Sequence, residues 1–152
     1  MTAFTGTVIK AGIAGERGTL SLFTGKFDLT GALASGDTIT FSNVFPQLGT
    51  FVVRNFRYES GRLDTNTSPT AFFTIGDGTD ADGYLTTRTP TFSLLTGAVG
   101  RVSYEGDGAC LDVKPGDSGA PASRDVVITF TASPATAATT GTIYVRGWIE
   151  AV

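Results

Sequence analysis

The stretch Leu63–Leu85, LDTNTSPTAFFTIGDGTDADGYL, opens on a turn-rich run, Asp64-Thr65-Asn66-Thr67-Ser68-Pro69. A short apolar run follows, Ala71–Ile75, and then a second polar turn from Gly76 to Gly83. Asn, Asp, Ser, Pro and Gly favour turns through their φ preferences and local side-chain hydrogen bonds. A brief apolar run held between two such clusters therefore reads as a strand. The stretch contains no nucleophile, general base or cationic pocket.

The same punctuation continues in both directions. Strands are expected at Phe4–Ala11, Thr19–Leu29 (broken at Gly25), Thr38–Val44 and Thr50–Tyr58. Further strands are expected at Thr70–Ile75, Gly83–Thr87, Ala98–Tyr104, Asp125–Thr131 and Thr142–Glu150. In Asp125–Thr131, alternation sets Val126, Ile128 and Phe130 against Val127, Thr129 and Thr131. In the last strand it sets Ile143, Val145 and Ile149 against Thr142, Tyr144, Arg146 and Trp148. Period-two patterning with one polar face marks strands with one buried side. Thr50–Tyr58 places Phe51 and Val53 on one face and Val52, Phe56 and Tyr58 on the other, so it is expected to be central or at an interface. Eight or nine such strands imply an all-β, single-domain sandwich or jelly roll spanning 1–152. Residues 1–18 are expected to serve as an N-terminal arm, and Gly106–Arg124 as a long loop. Ser133–Thr140 reads as a surface turn.

Composition agrees. Threonine is the commonest residue, at about 25 copies, beside 20 glycines and 11 phenylalanines. Thr, Val, Ile and Phe fit a pleated, half-buried surface, whereas the strong helix formers are scarce. One domain of 152 residues buries enough surface to form a core without disulfides or metals. The single Cys110 allows no internal bridge. The start, MTAFTGTVIKAG, lacks a charged and then apolar leader, and no apolar run approaches the ~20 residues of a membrane helix. The expectation is a protein made in a cytoplasm, with no membrane partner. Net charge is −3, and the lysines are only Lys10, Lys26 and Lys114. Without a clustered basic face, nucleic acid is not an expected partner.

Three motifs invite chemistry. GDSGAP at Gly116–Pro121 looks like the surroundings of a trypsin-like nucleophile, with Ser118 in its position. A serine nucleophile needs a base within reach, and the chain has no histidine. Lys114 lies in the same Pro/Gly-rich loop and is no credible substitute. Asp77, Asp80 and Asp82 form a weak calcium candidate, because the first spacing is three and the twelfth position is Arg88 rather than a bidentate Glu. Glu59, Glu105, Asp107 and Asp112 are carboxylates with no spacing that pairs any two for glycoside hydrolysis. No cofactor and no enzymatic activity are expected. Trp148, Tyr144 and Arg146 share one face of the last strand, as a sugar-stacking or partner-binding stripe would, or as core or subunit contact would.

Asp37–Val152 is similar to a family of tailed-bacteriophage head decoration, or capsid cement, proteins. The likeness runs through DTITFSNVFPQLGTFVV, then RLDTNTSPTAFFTIGDGTDADGYL, and ends with DVVITFTASPATAATTGTIYVRGWIEAV. It departs at Gly106–Arg124, which looks like an insertion, and over the first 36 residues. The resemblance implies a virion protein made in the bacterial host, placed on the capsid exterior against the major capsid protein, and stabilising the shell. A decorator gains from multivalency, so a homo-oligomer is expected, a trimer before a dimer. The alternative is a tail or fibre module that binds host glycans. Contacts with the shell or between subunits are expected at Phe4, Ile9, Lys10, Leu111, Val113 and Trp148, because apolar groups in solvent-suited segments mark partner surfaces.

Overall fold

The computed structural model describes residues 1–11, 20–44, 51–88, 102–108 and 125–151. These residues include nine strands: β1 Ala3–Ala11, β2 Leu20–Asp28, β3 Thr38–Phe41, β4 Phe51–Ser60 and β5 Phe72–Gly76, then β6 Leu85–Arg88, β7 Val102–Glu105, β8 Val126–Ala132 and β9 Thr142–Ala151. They form one sheet in the order β6-β5-β8-β3-β1-β2-β9-β4-β7. No helix occurs among the described residues. The all-β single domain expected from composition and punctuation is what the chain adopts.

β1 joins the two halves of the sheet. Its first residues pair in parallel with β3, Ala3 against Thr38 through Gly6 against Phe41. The next residues pair antiparallel with β2, Thr7 against Lys26 through Ala11 against Leu22. A strand that changes partners midway turns a corner and lets the two halves face each other. Aromatic rings meet across the gap: Tyr58 of β4 lies 4.5 Å from Phe73 of β5, centroid to centroid. Ile39, Phe41, Ile128, Phe130, Ile143 and Val145 fill the space between the halves and are all fully buried. The buried Tyr58 hydroxyl donates to Ser60 Oγ at 2.8 Å. Burial raises its pKa, because the phenolate would be stripped of water.

Three sequence expectations are corrected here. Residues 3–11 form the strand expected at Phe4–Ala11 and not a free arm: Ala3–Gly6 pair with β3 and Thr7–Ala11 with β2. Gly25 does not break β2. It is a seat for side chains, since a Cβ there would stand 2.6 Å from both Phe41 Cδ1 and Val145 Cγ2. In β4, Val53, Phe56 and Tyr58 are all buried, although strict alternation places Val53 opposite the other two. The register against β9 shifts between Arg54 and Arg57, where Asn55 adopts a left-handed φ of 51°. A β-bulge inserts one residue and reverses the parity of everything beyond it.

The turn Leu63–Pro69 is fastened from inside. Asp64 is fully buried, and its carboxylate accepts from the backbone N–H of Asn66 (3.1 Å), Thr70 (2.8 Å), Ala71 (3.2 Å), Ala135 (3.0 Å) and Thr136 (3.2 Å). Ser133–Thr140 is thus more than a surface turn, because it shares this buried anion with the 63–70 turn. Thr65 N–H donates to Thr136 O and Ala138 N–H to Leu63 O, completing the join.

Candidate interaction surface

The outer face of β1, β2, β9, β4 and β7 is built by register. One row across it runs Thr7, Lys26, Tyr144, Glu59 and Ser103. The next runs Ile9, Thr24, Arg146, Arg57 and Glu105. Beyond these, Leu22 stands opposite Trp148. Alternation sends Ile143, Val145 and Ile149 of β9 inward, and so leaves Tyr144, Arg146 and Trp148 on this face, as the sequence pattern requires.

Its charges are paired among themselves. Glu59, with a side chain only 12% exposed, is held by Arg146 and by Arg57 Nε at 3.3 Å. Arg57 also lies 3.5 Å from Glu105. Arg146 stacks over Tyr144, with its guanidinium carbon 4.7 Å from the ring centroid. Lys26 Nζ reaches Asp28 at 2.8 Å, and this hydrogen bond raises the lysine pKa and lowers the aspartate pKa. Large apolar side chains remain in water beside this lattice: Ile9 is 61% exposed and Trp148 39%.

The expected contact residues divide. Ile9 and Trp148 come together on this face, two strands apart. Phe4 turns inward, its ring 5.5 Å from Phe27. Lys10 pairs with Phe23 along β1–β2 through the backbone. Leu111 and Val113 lie outside the described residues, as do Lys114, Ser118 and Asp112 of the long loop. Only the first three residues of that loop, Gly106–Gly108, are described. They dock at the seam between the two edge strands, β6 and β7. Gly106 N–H donates to Phe56 O at 2.7 Å, and Asp107 N–H to Tyr84 O at 3.2 Å. The Asp107 carboxylate accepts from Thr86 N–H (2.9 Å) and Thr86 Oγ1 (2.9 Å), and pairs with Arg88. Partial burial alone would raise the Asp107 pKa, but the bonds from Thr86 and Arg88 outweigh it and lower the value.

The acidic turn serves the backbone. Asp77 is buried, and its Oδ1 accepts from Thr79 N–H (2.6 Å) and Asp80 N–H (2.7 Å). Among the described residues, Asp77, Asp80 and Asp82 do not form a cluster able to hold a metal, and no other three acidic, Cys or His side chains do. The residue that sequence reading missed is Asp64. Its signal was present, since an Asp with an Asn two residues on, and a Ser two further, is a chain of Asx turns. Ser68 N–H indeed donates to Asn66 Oδ1 at 2.8 Å.

No family model matches the sequence, and no curated protein matches it. Two solved structures share the fold. A chain of the cyanophage Pam1 capsid asymmetric unit superposes with a TM-score of 0.66 at 22% identity, covering 93% of this chain and 91% of that one. A chain of the capsid of Ralstonia phage GP4 gives a TM-score of 0.55 at 21% identity, covering 86% and 84%.

Proposed function

We propose that this chain is a structural protein of a phage virion that binds the outer surface of the capsid and reinforces the shell. One observation carries the reading. The fold is shared nearly end to end with a chain of the Pam1 capsid asymmetric unit, over 93% of this molecule and 91% of that one. The GP4 capsid chain supports it independently. The likeness in sequence to head decoration proteins points the same way. The major capsid protein is the partner, and the chain acts by binding rather than by catalysis. Its conspicuous carboxylates agree with that: Glu59 and Glu105 hold arginines, Asp107 holds a seam, and Asp64 holds a turn.

The physical logic is additive. A decorator that bridges neighbouring capsomers contributes binding free energy at every symmetric copy of its site. If it is itself oligomeric, multivalency strengthens each contact. A trimer on local threefold positions or a dimer would each bridge neighbouring capsomers in this way. The exposed Trp148 beside the Arg146–Tyr144 stack favours a second reading, a tail or fibre module whose aromatic face holds host glycans.

Copy number separates the two. Quantitative mass spectrometry of purified particles measures this chain against the major capsid protein. A ratio near one, or a simple fraction of it, is expected for a shell-wide decorator. A handful of copies per particle would favour the tail module, and absence from particles would overturn both. For the exterior position, surface biotinylation of intact particles should label this chain as strongly as disrupted particles do.

A further inference from the structure

We propose that the outer face of β1–β2–β9–β4 is a two-fold contact through which a second copy of this chain binds, centred on Ile9, Leu22 and Trp148. Of the four large apolar side chains exposed among the described residues, two, Ile9 and Trp148, lie on this one face. Half-buried Leu22 bridges them, paired with Ala11 on one side and Trp148 on the other. An aromatic and two aliphatic groups aligned across neighbouring strands are the composition of an interface core.

Charge decides what kind of partner fits. The ion-pair network beside the apolar groups contains three cations, Lys26, Arg57 and Arg146, and three anions, Asp28, Glu59 and Glu105, each in an ion pair within the face. These six pair with one another, which leaves them little charge to offer a nucleic acid, an acidic peptide or a basic surface. Two copies of such a face meet without net repulsion even though each chain carries −3. Area agrees as well. Four strands spaced ~4.8 Å, with nine residues at ~3.3 Å each, give roughly 600 Å² before side-chain relief, near the ~800 Å² per partner of a standard interface. A face packed against its own copy is isologous, so it closes at two chains and not three.

Trp148 is the sole tryptophan, so intrinsic fluorescence reports on this face alone. Mass by light scattering and emission wavelength are to be read together on the full chain from about 1 µM to about 100 µM. The expected result is a rise from one chain to two, with a blue shift of Trp148 emission in step. Ile9→Glu should move that midpoint at least tenfold upward, whereas Phe72→Glu, at an exposed position on the other half of the sheet, should leave it in place. A monomer throughout, a mass of three chains, or a dimer whose Trp148 emission does not move would each overturn the contact. The wild-type emission series decides the matter even if Ile9→Glu folds poorly. The contact rests on the capsid reading only for its biological use. A monomer found at high copy on particles defeats the contact alone, and a Trp148-burying dimer absent from particles defeats the capsid reading alone.

Discussion

At the scale of single residues, Asp64 shows how one side chain fixes two loops. Burial on its own would raise its pKa, but N–H groups from Thr70, Ala135, Asn66 and Thr136 outweigh that and hold it at about 2. Below its ordinary value of 3.8, the unfolded chain binds this proton before the folded one does. The carboxylate therefore contributes stability that is fully present above pH ~4 and lost as pH falls toward ~2, in all about 2 kcal/mol. Asp64→Asn leaves buried N–H groups facing an amide, and should cost about 3 kcal/mol, read as a fall in Tm of roughly 6–12 °C. Gly25 makes a steric counterpart. Gly25→Ala pushes a methyl into Phe41 and Val145 and should cost about 1–3 kcal/mol by denaturant titration, with the m-value unchanged.

Among the elements, β4 and the β6–β7 seam are two of the places where regular pairing gives way. Asn55 occupies the left-handed region at the β4 bulge, which Asn and Gly tolerate and β-branched residues do not. Asn55→Gly is expected to leave stability within about 0.5 kcal/mol, while Asn55→Val should cost about 1–2 kcal/mol, both measured by thermal unfolding. At the seam, β6 and β7 meet through the Asp107 carboxylate, which caps the Thr86 N–H that a neighbouring strand would otherwise bind. Arg88 adds a pair to that carboxylate and lies 5.9 Å from the Tyr104 ring centroid. Asp107→Ala should speed hydrogen exchange at the Thr86 amide while core amides of β8 and β9 keep their protection. Equal acceleration everywhere would mean that the seam opens only with the whole domain.

For the whole molecule, the absence of histidine sets the pH response. No side chain with an unperturbed pKa between 5 and 8 is present, so no switch near pH 6 is expected. Asp28, Asp64 and Asp107 all have lowered values. Each adds stability above the ordinary aspartate pKa that protonation removes, so the three act in the same direction. Tm should be flat from about pH 5 to about pH 8 and fall below pH ~4. A maximum at pH ~6, or a loss of stability from pH 7 to 5, would contradict this account. At that scale the self-paired outer face also matters, because it lets copies approach one another despite the net negative charge.

The sequence by itself determined the class of fold, the number of strands within one, and the inward residues of β8 and β9. Period-two alternation is a local property, and each of those strands keeps it without interruption. It also set Tyr144, Arg146 and Trp148 on one face, for the same reason. Tertiary structure alone decided the parity of β4, because a single left-handed residue at Asn55 reverses every side chain after it. It decided which strands residues 3–11 join, since a strand that changes partners at Gly6 satisfies its backbone from two directions that no local pattern records. The gathering of Asp64 with Ala135 and Thr136 belongs there too. Those residues lie 71 and 72 positions away, and burial of one carboxylate becomes favourable only when distant N–H groups replace water around it.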